Sequence, residues 1–187
     1  MPTRTRFLAS AVAFAALLAP MFGGFAPGGR AEAAEAPKLL GKFDDWAAYT
    51  YGSDADRICY VVAEPRTQEP KGAKRGDVYF MITHRPGRNI RNEVSLRAGY
   101  TYSPTSKPFA TIGKAKFQMF TGFSEGGEHQ YWAWLDKTSD EPAMVKAIRS
   151  GSTMVIKGTS ARKTTTTDTY ALKGAGTALK KIDEACK

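Results

Sequence analysis

Turn-forming residues interrupt this chain so regularly that little but short strands fits between them. Pro65, Pro70-Lys71-Gly72, Arg85-Pro86-Gly87, Gly126-Gly127 and Gly151 punctuate nearly every gap. Phe43 to Tyr51 carries Trp46, Tyr49 and Tyr51, Ile58 to Ala63 is apolar around Cys59, and Asp77 to Thr83 reads as a buried strand. Asn92 to Ala98 alternates Val94 and Leu96 against Glu93, Ser95 and Arg97, the period of a half-buried strand. Lys116 to Thr121 alternates likewise with Phe120 out of phase, and Tyr131 to Leu135, Thr153 to Gly158 and Asp168 to Leu172 complete the set. Two segments carry helical signals. Ser139 or Asp140 is placed to cap a helix with Glu141 and Pro142 in its first turn, Met144, Val145 and Ile148 on one face and Gly151 as its stop. Thr177 to Ala185 aligns Ala178, Leu179 and Ile182, with Cys186 close in phase. About eight short strands with two helices predict one mainly-β domain, a β-sandwich with the helices as crossover and C-terminal cover.

The start of the chain has a different character. Arg4 and Arg6 precede an apolar run from Phe7 to Leu18, and Ala31-Glu32-Ala33 has the form of a cleavage site. That order is a secretory signal peptide, assigned to residues 1–33. The run is short for a membrane span and no second one follows it. Residues 34–42, with Pro37 and few apolar anchors, read as a loose lead-in, and residues 43–187 as the domain itself. The expected location is the periplasm, or the cell envelope or exterior after secretion. No cysteine near the end of the signal offers a lipid anchor.

Export gives the cysteines a meaning. Cys59 and Cys186 are the only two, and an even count in an oxidising compartment predicts a disulfide between them. They form no C-x-x-C, which argues against redox catalysis, and with His84 and His129 they offer no close ligand spacing, so neither metal nor cofactor is expected. The full chain carries a net charge of +9, and removing Arg4, Arg6, Arg30 and Glu32 with the signal leaves +7. A basic exported domain suits anionic lipid, lipopolysaccharide, polysaccharide or peptidoglycan, and export disfavours nucleic acid.

Each candidate site has an ordinary reading beside its functional one. Arg85, Arg88, Arg91 and Arg97, with Lys71, Lys74 and Arg75 nearby, form either a polyanion site or a solvated face. Arg162 and Lys163 open a polar stretch to Thr167 that reads as a mobile loop and contact surface, and Asp168 after it is expected to cap a turn or pair with one of those two cations. Trp132 and Trp134 share a strand face, which more often fills a core than stacks a sugar or docks a partner. Tyr100 and Tyr102, and Tyr49 and Tyr51, repeat that choice as candidates for an exposed aromatic strip. His84 and His129 read as surface or loop histidines. Asp77 and Ser124 are near them in sequence, yet no hydrolase spacing surrounds either one, so a hydrolase is the weakest reading. Gly122 to Gly127 matches no phosphate-binding pattern and reads as a hairpin loop.

An ordered set of short pieces resembles one family. These are Phe43-Asp44-Asp45-Trp46, Cys59-Tyr60, Thr83-His84-Arg85-Pro86 and Gly99-Tyr100, then Ala143 to Ala147 leading to Arg149-Ser150-Gly151. Val155 to Gly158, Ser160, Asp168 to Gly174, Ala178-Leu179 and Cys186 follow. From Phe43 to Cys186 the chain resembles the invasion-associated locus B family of exported bacterial proteins. The resemblance implies an immunoglobulin-like β-sandwich in the periplasm or envelope, with no enzymatic residues to transfer. Some relatives assist entry into host cells. The implied role is non-enzymatic binding of an envelope or host protein; the alternative, read from the basic Arg85 to Arg97 stretch rather than from the resemblance, is a module that binds anionic glycan or lipid head groups. Relatives tend to carry Arg-Gly soon after the serine matched by Ser160. Here Arg162-Lys163 and four threonines stand instead, so a different local loop is expected.

Overall fold

The computed structural model describes residues 36–187, so the signal peptide assigned to residues 1–33 lies outside the described residues. Strands β1 (Lys38–Phe43) and β2 (Trp46–Tyr51) form a hairpin about Asp44-Asp45, followed by β3 (Ile58–Ala63), β4 (Thr67–Glu69), β5 (Tyr79–Arg85) and β6 (Ile90–Arg97). Next come β7 (Phe109–Ile112), β8 (Ala115–Thr121), β9 (Trp132–Leu135), α1 (Glu141–Ser150), β10 (Thr153–Thr159), β11 (Thr165–Ala171) and α2 (Ala175–Ala185). The strands pair antiparallel in the order β1-β2-β3-β5-β6-β9-β8-β7-β10-β11-β4. Among the described residues the fold is thus mainly β with two α-helices, and the sheet has eleven strands rather than about eight.

The three additional strands have weak side-chain signals. Five of the six residues of β1, 38–42, fall within the stretch read as a loose lead-in, and that reading is corrected. Its backbone pairs with β2 across an irregularity at Gly41, while only Leu40 and Phe43 pack on the core. β4 is three exposed residues laid along β11, and β7 is a four-residue run between Pro108 and Gly113 that buries Ala110 and Ile112. The threonine run is corrected too. Thr165 to Thr167 are the first half of β11, because β-branched threonines suit a strand and Thr166 is buried there.

Alternation decides which residues meet. Val61, Phe80, Ile82, Val94, Leu96, Met119, Met154, Ile156 and Tyr170 come from strands throughout the sheet and join one core. Strands far apart in sheet order touch there. Phe80 of β5 packs on Tyr170 of β11 at 6.0 Å and on Trp46 of β2 at 6.1 Å, and the Trp46 indole N–H donates to the Ala171 carbonyl at 2.9 Å. Each large apolar side chain fully buried in this way stabilises by about 1.5–3 kcal/mol relative to exposure.

The helices close the remaining apolar surface. α1 buries Met144, Val145 and Ile148 as its spacing predicts, and Asp140 sits at its N-cap position, although its side chain makes no capping hydrogen bond. α2 starts two residues earlier than expected and buries Ala175, Ala178, Leu179 and Ile182. The small alanines let it lie close against β1, β2 and β3. Gly174, at φ 87°, makes the turn into α2, and a Cβ there would stand 2.1 Å from the Phe43 carbonyl oxygen, so only glycine fits. At the other end of α2, Cys186 bonds to Cys59 of β3, as the cysteine count predicts.

Candidate functional site

The face of the sheet turned away from the core carries a second set of aromatic residues, distinct from the buried Trp46, Phe80 and Tyr170. On β9, Ala133 and Leu135 point inward and are buried, which leaves Trp132 and Trp134 half-buried on the outer face. Their more ordinary reading as core filler is therefore corrected: on this strand the small and aliphatic residues hold the core positions. Register assembles the rest. Trp134 lies opposite Ser95 and Phe120, Trp132 opposite Arg97, and Arg97 opposite Tyr79. Trp132 stacks on Trp134 at 6.3 Å, Phe120 stacks on Trp134 at 5.8 Å, and Tyr79 meets Trp132 edge-on at 5.5 Å. Phe120 is 46% exposed, one of only two large apolar side chains exposed among the described residues. Its break from alternation was the sequence signal for this site. Farther along the sheet, Tyr49 and Tyr60 stack at 5.3 Å, both half-buried.

Ion pairs stand among these rings. Arg85 donates to Glu93 at 2.6 Å and Arg97 to Glu128 at 3.1 Å. The Arg97 guanidinium also lies 5.5 Å from the Tyr131 ring and 5.9 Å from the Trp132 ring. A shallow depression of about 240 Å³ between Met81, Glu93, His129, Trp132 and Trp134 marks the centre of the face. Aromatic, Met and Arg side chains over a paired-charge background are the composition of a recognition surface.

The structure brings some predicted residues together and separates others. Arg85 and Arg97 belong to the aromatic face with their charge matched by carboxylates, whereas Arg91 donates to the Cys186 carbonyl and Arg88 is exposed on the β5–β6 turn. The arginine cluster of the sequence is therefore dispersed. Tyr102 is fully buried in the core and Tyr100 is half-buried, bonding Thr166 at 2.7 Å with the Arg75 guanidinium 5.0 Å from its ring, so an exposed Tyr100–Tyr102 strip is corrected. Arg162 and Lys163 are exposed on the β10–β11 turn. Asp168 pairs with neither of them. Its partner is Arg75, a cation 93 positions away that sequence proximity could not indicate.

His84 is also corrected. It is 1% exposed within β5, where Nδ1 accepts from the Asn92 N–H at 3.1 Å and Nε2 meets Asp183 at 3.0 Å. Burial raises the Asp183 carboxyl, but the hydrogen bonds from His84 and Arg149 outweigh that and hold it below its ordinary value. Both ring nitrogens are thus engaged in binding α2 and the β5–β6 hairpin together. His129 lies exposed in the β8–β9 connection, 6.4 Å from Trp134. The two sulfurs are joined in the disulfide.

One carboxyl near this face titrates close to neutrality. Burial at the start of α1 pushes Glu141 up to about 7, against a hydrogen bond with the Val94 backbone and with added repulsion from Glu93. The native chain then holds a proton that the unfolded chain releases. Stability from this group is complete below its ordinary value of 4.5 and is lost as pH rises through about 7. Glu141→Gln should flatten the fall in melting temperature between mildly acid and mildly alkaline buffer. An unchanged pH profile in that variant would exclude this origin.

No protein-family model, curated protein or solved structure matches the chain.

Proposed function

We propose that this chain is a non-enzymatic exported protein of the bacterial envelope that binds a partner protein through the outer face around Trp132, Trp134 and Phe120. The observation that carries the reading is the stack of half-buried aromatic rings on a sheet whose opposite face holds the core. Monomeric proteins seldom leave such rings on a sheet without a use for them. The paired charges at Arg85 and Arg97 favour a protein partner over a polyanion, because their carboxylates already match them. The resemblance to the invasion-associated locus B family belongs to this proposal, as do an immunoglobulin-like sandwich and periplasmic or surface delivery. Assistance in host-cell entry is the form this role takes in some relatives. The contact of Phe80 with Tyr170 across the core supports the sandwich, and the disulfide is compatible with an oxidising compartment.

The test is cross-linking and affinity capture from intact cells expressing the protein at native level. A discrete protein partner is expected to stay bound at high salt. Trp132→Ala with Trp134→Ala should weaken it by about thirtyfold, the effect of losing an interface anchor worth about 2 kcal/mol. Both rings point outward, so the variant should keep the parent's circular dichroism spectrum. Equal capture by the folded variant, or recovery of nothing but glycan or lipid that washes off with salt, would remove this reading.

A further inference from the structure

One group of unmatched positive charges lies away from the aromatic face. Between the β4–β5 loop and the β10–β11 turn the surface opens into a cleft of about 590 Å³. Lys71 and Lys74 line it from the first segment and Arg162 from the second. All three are exposed, and none makes an ion pair with a carboxylate among the described residues. Every charged residue lining the cleft is basic. Arg75 also lines it, but its side chain is 6% exposed and its guanidinium is engaged by Asp168, which leaves it structural. The aromatic and hydroxyl groups are of a second kind. Tyr100, fixed by its bond to Thr166 with Arg75 over one face, and Tyr131, with Arg97 over one face, contribute their remaining ring surface, and Thr101 and Thr164 bring polar side chains.

We infer that this cleft binds a phosphorylated saccharide. Two separate segments present unmatched cations to one volume, which grips a compact anion rather than tracking a long one. Arg162 offers a planar fork and the two lysines mobile ammonium groups, both suited to phosphate. Tyrosine faces beside threonine hydroxyls suit a sugar ring with its apolar side and polar edge. The volume accommodates one or two rings. The same chemistry is offered by a free sugar phosphate and by the phosphorylated sugar head group of a lipid. The inference is independent of the aromatic face and survives if that surface binds nothing.

Isothermal titration of the exported protein at low ionic strength tests it, with glucose 6-phosphate, glucose and inorganic phosphate as soluble probes. Vesicles containing a phosphorylated glucosamine lipid form a separate arm. Binding should weaken as salt is added. Lys71→Glu with Lys74→Glu, and separately Arg162→Gln, should each weaken it about tenfold, whereas Arg88→Glu, a cation outside the cleft, should change it by less than about twofold. Because these side chains are exposed, unchanged circular dichroism is expected of every variant. Binding only to vesicles assigns the ligand to a lipid head group, and binding only to the soluble sugar phosphate assigns it to a free one. The inference is overturned if neither arm binds, if inorganic phosphate binds as tightly as glucose 6-phosphate, or if Arg88→Glu weakens binding as much as the cleft variants do.

Discussion

Replacing both cysteines, Cys59→Ala with Cys186→Ala, should lower the unfolding free energy by about 4–5 kcal/mol, the loop-closure value for a bridge this long in the chain-entropy model. The bridge spans 127 positions and joins β3, an interior strand flanked by β2 and β5, to the end of α2. Both residues are buried, so the alanines remain in apolar surroundings and the loss falls mainly on the unfolded ensemble. Urea unfolding of the oxidised parent against the variant measures it. The deficit should not be uniform. α2 keeps Leu179 and Ile182 in the core, whereas its C-terminal turn is held beyond the bridge by Arg57 to the Ala185 carbonyl and Arg91 to the Cys186 carbonyl. Backbone amides of that turn should therefore exchange first in the variant. A loss below about 1 kcal/mol, far under the chain-entropy value, would mean that the unfolded chain is already compact enough to make the bridge redundant.

The second large effect lies at Arg75 and Asp168. Their side chains are 6% and 3% exposed, and the guanidinium donates to both carboxylate oxygens at 2.6 and 2.7 Å and to the Ala98 carbonyl. Burial lowers the Arg75 proton affinity, and the bonds to Asp168 more than restore it. The pair ties the loop before β5, the end of β6 and β11 into one unit. Arg75→Ala or Asp168→Ala strands the opposite charge in the interior and should cost about 3–5 kcal/mol. An apolar pair, Arg75→Met with Asp168→Leu, removes both charges and should recover most of that loss. Chemical denaturation of the three variants decides the matter, and a double variant as unstable as the single ones would show that the stranded charge is not the source of the loss.

Much of this fold is legible in the sequence wherever one face is buried. β3, β5, β6, β8, β10 and both helices fall close to their apolar periodicity, because burial forces alternation or a helical stripe. Strands that bury little left no such mark. β1 and β4 exist through backbone pairing at the edges of the sheet, which side-chain pattern does not encode. The candidate site was half legible. The i, i+2 spacing puts Trp132 and Trp134 on one face, but which face depends on Ala133 and Leu135 taking the core, a matter of packing volume rather than period. Phe120 was visible as an irregularity whose meaning required the register with Trp134. The arginines misled because sequence proximity ignores the carboxylates supplied from elsewhere. Glu128 reaches Arg97 across 31 positions, and Asp168 reaches Arg75 across 93.

The single bridge also sets an order of events for a chain that emerges N-terminus first. Cys59 arrives early on β3, and its partner follows every one of the eleven strands. The early thiol must wait unpaired while β4 through β11 are delivered. With two cysteines in the chain, no wrong intramolecular bond can be made in the meantime. In the folded chain, closure of the bond therefore reports that α2 has reached β3, which carries the sulfur its own cysteine joins.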